Sequence, residues 1–443
     1  SARPGTGNIL HTGVYCGVGI IVQKFGGTSV STAAMREAAV KRVQEALSRG
    51  LKPVVVVSAM GREGEPYATD TLKGLAEGIY PLLPLRELDL VMGCGEIISA
   101  VVFTATLYRS GIKAAALTGA QAGLVTDGIY SEARVVACKP ERLQRLVQDG
   151  VVPVVAGFQG ADMDGELNTL GRGGSDTTAV IIGAVLQADT VEIYTDVEGI
   201  STADPRLCRE ARVIRCLSYS EVCHLAYEGA KVIHPAAVEI AMNHNVSVVV
   251  RGLTDDGPGT LINTVGDAFQ PRGFTAGPRR VVTGIAHETG LAQIRIDFDR
   301  PEPERDTALF EGLAAAGVSI DLINVFPTNK VFTIKQELLP RAETVFQEQG
   351  LKYSVQKDCA KVSVVGLGMR GLPGVMSRVV RAFKEKGIGI LQTADSNITI
   401  SLLIDQHDLA AAVQTLHHHF NLSEAAEAGP SRLSSPSSSC MAR

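Results

Sequence analysis

Tryptophan is missing altogether, and aromatic residues make up only 5% of the 443-residue chain. That removes the stacking platforms on which single-stranded nucleic acids are held. There is no basic block either, since 42 Lys and Arg face 47 Asp and Glu for a net charge of −5. Such a balance offers no electrostatic footprint for nucleic acid or an anionic membrane, and neither partner is expected. The eight cysteines (Cys16, Cys94, Cys138, Cys208, Cys216, Cys223, Cys359, Cys440) include no C-x-x-C pair. The expectation is reduced thiols in a cytoplasmic protein. Cys208, Cys216, Cys223 and His224 follow no standard zinc spacing, so no metal site built from protein side chains is expected. No apolar run reads as long enough to span a bilayer. The first 19 residues lack the basic start and A-x-A end of a signal peptide, and residues 1–18 read as an extension with no role in the chemistry.

What is present is an ordinary globular composition, 45% hydrophobic and 20% charged, in a chain long enough for two or three domains. From Ile20 to about residue 250, apolar strands alternate with helical stretches. Ile20–Gln23 reads as a buried strand. Residues 33–49 read as a helix, with Met35, Ala38, Ala39, Val43, Ala46 and Leu47 on one stripe and Gly50 as its stop. PVVVVS at 53–58 suits a parallel strand covered on both faces. Helices at 88–110, 140–148 and 176–187 alternate with strands at 112–117, 151–156 and 190–195. Ser218 and Glu221 form a capping box ahead of a further helix, and a strand at 246–250 ends the block. This pattern predicts an α/β domain with a mainly parallel sheet. The Gly-, Pro-, Thr- and Asp-rich stretch 254–280 reads as a connection. Beyond it the chain repeats itself. AGVSI at 316–320 matches KGIGI at 386–390 at an offset of 70 residues, and at that offset 331–334 aligns with 401–404. Each copy reads as a βαββαβ unit with a short final strand, an α+β module. The SRLSSPSSS tail from Ser423 is low-complexity and is expected to be disordered.

Five clusters carry candidate chemistry. Lys24-Phe25-Gly26-Gly27-Thr28-Ser29 lies between a strand and a helix. Two glycines admit a phosphate close to the backbone and the lysine adds a point charge, although the same turn also serves as a packing device. It is not a Walker A loop. Gly171-Arg172-Gly173-Gly174-Ser175-Asp176 opens another helix as an anion nest. Arg172 can grip a carboxylate with two parallel bonds. Asp176 is either a first-turn charge or a group that orients Lys24 or the phosphoryl group. Thr195 and Asp196 leave a strand at its C-terminal end, where open α/β sheets bind ligands. Lys231 of Gly229-Ala230-Lys231-Val232 is either solvated or paired with an anion. Glu96, with Cys94 and Gly95 at the front of a helical segment, is a helix-start carboxylate or the receiver of a substrate amine, with Thr69 and Asp70 on the loop before it. Together these suit phosphoryl transfer to an anionic amino acid, a reaction of positioning and charge neutralisation.

In this order KFGGTSV (24–30), VVVSAMG (55–61), CGE (94–96), TLGRGGSD (169–176), YTDVEGI (194–200), TADPR (202–206) and GAKVIHP (229–235) resemble the aspartokinase family of the amino-acid kinase superfamily. The repeat, with ILQTADSNITISLLI at 390–404, resembles that family's paired ACT regulatory modules. YATD (67–70), ALTGAQAG (116–123) and VVAGFQGA (154–161) are similar to the monofunctional, diaminopimelate-sensitive branch of Gram-positive bacteria. The likeness runs from about residue 20 to residue 421. It implies an amino-acid-kinase fold, with a mainly parallel sheet flanked by helices, at 19–265. ACT modules would follow at 281–350 and 358–421, with the tail at 423–443. It implies transfer of the γ-phosphoryl of ATP, carried with Mg²⁺, to the β-carboxylate of L-aspartate. That is the first step toward lysine and diaminopimelate, threonine and methionine.

By the same resemblance Lys24, Phe25, Gly26 and Gly27 line the ATP phosphates with Ser58 nearby. Thr195, Asp196, Arg206, Lys231 and Val232 surround the nucleoside. Thr69, Glu96, Arg172, Gly173, Gly174 and Ser175 hold aspartate, and Asp176 organises Lys24, which with Arg172 completes the catalytic group. Lysine or meso-diaminopimelate would bind ACT modules near Asp321, Gln392, Asn397 and Ile398 at chain–chain interfaces, which implies a homodimer or larger homo-oligomer. Ser201 stands where many relatives carry an aromatic residue, and Ala236 where they often carry arginine. Two alternatives remain at this point: a sister kinase acting on glutamate, acetylglutamate or carbamate, and a catalytically silent amino-acid sensor. The G-x-G-x-x-G at 366–371 has too little chain around it for a dinucleotide domain.

Overall fold

IIVQKF and KPVVVV become β1 (Ile20–Phe25) and β2 (Lys52–Val57), parallel and in register from Ile20 opposite Lys52 to Phe25 opposite Val57. Their interior positions are buried on both faces because helices cover both sides of the sheet. The strands belong to a computed structural model that describes residues 19–230, 232–264, 281–301, 303–367, 369 and 373–423. The extension 1–18, most of the 254–280 connection, the tail from 424, and Lys231 lie outside the described residues.

Between the first two strands lie α1 (Gly27–Val30) and α2 (Ala33–Ser48). The Thr32 side chain accepts from the Met35 amide to start α2, and Gly50, at φ 77°, stops it. Then come α3 (Thr69–Glu77), α4 (Leu85–Arg109), β3 (Ala114–Leu117), β4 (Leu124–Thr126), β5 (Val135–Cys138), α5 (Glu141–Gln148) and β6 (Val152–Ala156). They are followed by β7 (Gln159–Ala161), β8 (Leu167–Thr169), α6 (Gly174–Val185), β9 (Thr190–Thr195) and β10 (Cys216–Leu217). The unit ends with α7 (Tyr219–Tyr227), α8 (Pro235–His244), β11 (Val248–Gly252) and β12 (Thr260–Ile262). The main sheet has the order β10-β12-β11-β9-β1-β2-β6-β3, parallel except for the β11–β12 pair. The capping box at Ser218 and Glu221 forms as the sequence predicts.

Periodicity did not reveal the small sheet β5-β4-β7-β8, because its strands are only three or four residues long. Asp89 of α4 anchors it. This fully buried carboxylate accepts from the amides and hydroxyls of Ser131 and Thr169.

α4 also corrects the expectation about apolar runs. It is 25 residues long with a most apolar window of mean hydropathy 1.9, enough by length and composition to cross a membrane. Its context is that of a core helix. Leu88, Met92, Phe103 and Leu107 are buried against the domain, and Asp89 and Glu96 are buried with them.

The second unit is one six-stranded antiparallel sheet, β14-β15-β13-β16-β18-β17. Its elements are β13 (Gly284–Asp297), α9 (Pro303–Ala315), β14 (Ile320–Val325), β15 (Asn329–Lys335), α10 (Leu339–Glu348), β16 (Lys352–Val365), α11 (Val375–Lys386), β17 (Gln392–Asp395), β18 (Thr399–Asp405) and α12 (Leu409–His419). β13 and β16 are 14 residues each and serve both repeats. The far half of β13 pairs with β15, and its near half pairs with the half of β16 that meets β18. A strand from ahead of the first repeat thus supplies the final strand expected at the end of the second. Because β16 sits in an antiparallel sheet, the G-x-G-x-x-G that follows it has no Rossmann setting. Gly368, Arg370 and Gly371 of that motif lie outside the described residues.

The two units share their cores. Ala203 and Cys208, on the segment after β9, are buried in one cluster with Val364, Val413 and Leu416 of the second module. Thr202 Oγ1 lies 2.9 Å from His417 Nε2 of α12. The Gln414 side-chain amide donates to the Leu207 carbonyl at 2.7 Å.

Candidate active site

β1, β2, β6 and β9 run parallel and end at one edge of the main sheet. Lys24 is the penultimate residue of β1. Its Nζ lies 2.7 Å from Asp176 Oδ1, with the two side chains 13% and 11% exposed. The contact is an ion pair rather than an aligned hydrogen bond, and it ties the first glycine turn to the second. Asp176 therefore does more than balance the α6 dipole. A side chain at Gly26 would point to within 3.6 Å of the same Nζ.

Gly27 is enclosed by backbone, since a Cβ there would lie 2.6 Å from the Ala59 carbonyl and 2.8 Å from that of Gly61. Neither carbonyl can swing aside as a side chain would. Gly27→Ala should therefore destabilise the protein by about 2 kcal/mol and weaken ADP binding at least tenfold, read by a thermal melt and calorimetric titration. Wild-type values in both would show that the turn is not packed this tightly. Ser58, half-buried, donates its amide to the Phe25 carbonyl at 3.1 Å. The Phe25 ring is fully buried, stacked on Tyr194 at 4.9 Å and beside Phe103 at 5.5 Å, so only its main chain is available to a ligand.

The second turn needs its glycines. Gly171 and Gly173 have φ of 67° and 73°, where a side chain is strained. Gly173 caps α6, and Gly174, Ser175 and Asp176 are buried in its first turn. Ser175 packs on Gly157 at the end of β6, and Gly173 on the ring of His234, which opens α8. His234 belongs to the GAKVIHP motif but was not singled out from sequence. Arg172 is exposed, with no hydrogen bond or ion pair among the described residues.

Glu96 is not at the front of its helix, as the sequence suggested, but midway along α4. The actual start, at Leu85 after Pro84, was hidden by an apolar run that offers no polar cap. Glu96 is 2% exposed. Its Oε1 accepts from the Ala59 amide at 3.1 Å and from Thr69 Oγ1 at 3.4 Å. Oε2 is buried with no hydrogen-bond partner among the described residues. Burial pushes its carboxyl up to about 8, against weaker lowering by the Ala59 amide. The carboxylate is poised to gain from a cation.

On the other side of Lys24, the Thr195 hydroxyl lies 3.2 Å from Asp196 Oδ1, and Asp196 pairs with Arg62 at 2.7 Å across the mouth. Arg62 lies on the loop after β2 and carries no signal of its own in the sequence. A cavity of about 790 Å³ opens beside Asp196, bounded by Ser201, Arg206 and Val232 and, from the second unit, by His287 and Glu288. Arg206 is held by Asp204 at 2.7 Å, and that bond keeps the Asp204 carboxyl below its usual range. His287 lies 3.9 Å from Asp204, and burial lowers its pKa. No sequence argument could find His287, because it reaches the cavity from the far unit.

The four residues assigned to the regulatory modules separate into two pairs. The Gln392 amide donates to Asn324 Oδ1 at 2.7 Å, bridging β17 to β14, and Asp321 sits on the same seam. Asn397 is exposed at the β17–β18 turn, and Ile398 packs against the core of the first unit.

Comparison with known proteins adds descent to this geometry. The amino acid kinase family profile matches residues 19–252, and an ACT domain profile matches 354–418. Aspartokinase 1 of Bacillus subtilis is 46% identical over 411 residues, covering 91% of this chain and 100% of that protein. Two solved structures of E. coli aspartokinase III share the fold at 23% identity. One, with aspartate and ADP, has a TM-score of 0.70 and covers 90% of this chain and 99% of that one. The other, with lysine and aspartate, has a TM-score of 0.69 and covers 91% and 100%.

Proposed function

The chain belongs to the aspartokinase family, and on that premise we propose how its residues divide the work of phosphorylating aspartate. The γ-phosphoryl of ATP moves to the β-carboxylate. The acceptor is already nucleophilic, so the protein must align two anions rather than remove a proton. One observation carries the reading: the 2.7 Å Lys24–Asp176 pair sets a cation where the two glycine turns meet. Lys24 neutralises charge on the phosphoryl oxygens, and Asp176 fixes its position. The main chain of Phe25, Gly26 and Gly27, with Ser58, takes the phosphates. Thr195, Asp196, Arg206, Lys231 and Val232 take the nucleoside end.

Arg172 grips a substrate carboxylate, and the amides of Gly173, Gly174 and Ser175 support it at the start of α6. Glu96, with Thr69, receives the α-ammonium. Among the described residues no three His, Cys, Asp or Glu side chains converge as a ligand set. Mg²⁺ would be held chiefly by the nucleotide, where it would offset phosphate charge. We assign catalysis to 19–265 and control to modules at 281–350 and 358–421, in a cytoplasmic homodimer or larger homo-oligomer. Lysine or meso-diaminopimelate would act at the β14/β17 seam, through Asp321 and Gln392, with Asn397 and Ile398 at the module's other end.

An acyl-hydroxamate assay with ATP tests this directly. Aspartate is expected as the preferred acceptor, and preference for glutamate would overturn the assignment. The same assay titrated with lysine and meso-diaminopimelate, singly and together, should show inhibition; equal rates throughout would remove the effector reading.

A further inference from the structure

One buried lysine joins the two units. Lys361, on β16, is 4% exposed. Its Nζ lies 2.5 Å from Asp321, 3.3 Å from Glu288 and 3.3 Å from Glu228. Burial works against its charge, but the three carboxylates outweigh that and leave its pKa raised. Glu228 comes from the catalytic unit, where it ends α7. Its carboxylate inserts into the regulatory sheet, accepting from Ser363 and, at 3.3 Å, from Ser401.

The next residues are Gly229, Ala230 and Val232, which line the 790 Å³ cavity. That turn is pressed onto β13: Gly229 has φ 114°, and a Cβ there would run into the His287 carbonyl. A Glu228 pulled into the sheet therefore fixes where the cavity wall stands.

We propose that Glu228, gripped by Lys361, Ser363 and Ser401, is a positioning residue that sets the wall formed by Gly229, Ala230 and Val232 in the nucleotide pocket from the regulatory sheet. The inference rests on the nucleotide reading of the cavity and deepens it. Glu228 touches no substrate. It acts through the main chain that follows it, so its loss falls on nucleotide binding and spares the aspartate side. Lys361 also holds Asp321, on the seam assigned above to the effector. The ion pairs thus form a continuous connection between that seam and the nucleotide wall.

Glu228→Gln keeps the shape and the hydroxyl contacts but removes the charge that Lys361 holds, while Lys361 keeps Glu288 and Asp321. In the full-length protein with Mg²⁺, the ADP Kd and the ATP KM should rise about fivefold or more, with kcat within threefold and the aspartate KM within twofold. An unchanged ADP Kd, or an equal rise in both KM values, would overturn the positioning role. Arg206→Ala, titrated alongside, tells the two failures apart. If it weakens ADP while Glu228→Gln does not, the relay alone is wrong. If neither variant affects ADP, the nucleotide reading of the cavity falls and the relay with it. Lys361→Arg should retain wild-type ADP affinity; a loss equal to that of Glu228→Gln would mean that the packing of this site, not the ion pair, sets the wall.

Discussion

Lys24→Met should lower kcat on the order of 10³-fold, the scale of removing one preorganised charge from a site where negative charge gathers in the transition state. The variant should also lose stability, by about 3 kcal/mol, because Asp176 is 8% exposed and would be left as an unpaired anion. The two effects separate in the double variant Lys24→Met, Asp176→Asn. With no charge left stranded, most of the stability should return, while turnover stays at the level of the single variant. Single-turnover kinetics and thermal melts on the three proteins make the comparison. Turnover within tenfold of wild type in Lys24→Met would remove the lysine from the chemistry. Turnover restored in the double variant would show that the single variant had failed through instability alone.

Lys24 and Asp176 also show how far the sequence can be read. Each lies in a strand–glycine–helix unit whose signals are local: an apolar run, a turn that only glycine tolerates, a helix start. Such units are legible within about ten residues, and the predicted strands and helices of the catalytic unit fall within a few residues of β1, β2, β6, β9, α2 and α6. Their contact, across 152 positions of sequence, is not local: the residue types offered it as one of two readings of Asp176, and the resemblance chose between them. The same limit hid Arg62 opposite Asp196 and His287 in the wall of the cavity. The repeat offset revealed two modules but not that β13 serves both, because strand exchange leaves no periodic trace. In α4 an even spread of apolar residues hid both the helix start and its buried face. Glu96 was therefore found as a residue type near the right place, with its depth unknown.

That depth sets the expectation for Glu96. Its folded pKa of about 8 stands above the ordinary 4.5 because burial disfavours the charge. Between those values the native state keeps a proton that the unfolded chain has lost. Stability should therefore fall as pH rises through this window, by roughly 1.4 kcal/mol per unit, and level off above pH 8. Glu96→Gln has no proton to lose, so its thermal midpoint should drop less than that of wild type from pH 6 to pH 8.5. Substrate reverses the sign. The ammonium of aspartate needs the carboxylate, and at pH 7 part of its binding energy must go to expelling the proton. Wild-type kcat/KM for aspartate should thus climb with pH along a limb centred near 8, until the substrate's own ammonium titrates. Glu96→Gln should lose that limb and raise the aspartate KM on the order of 10²-fold, as removal of one member of a buried charged pair does, with the ATP KM little changed. A limb that survives in Glu96→Gln would mean that another group titrates there. An aspartate KM unchanged in the variant would mean that the amine is received elsewhere, and Oε2 would be left as a buried polar atom with no task.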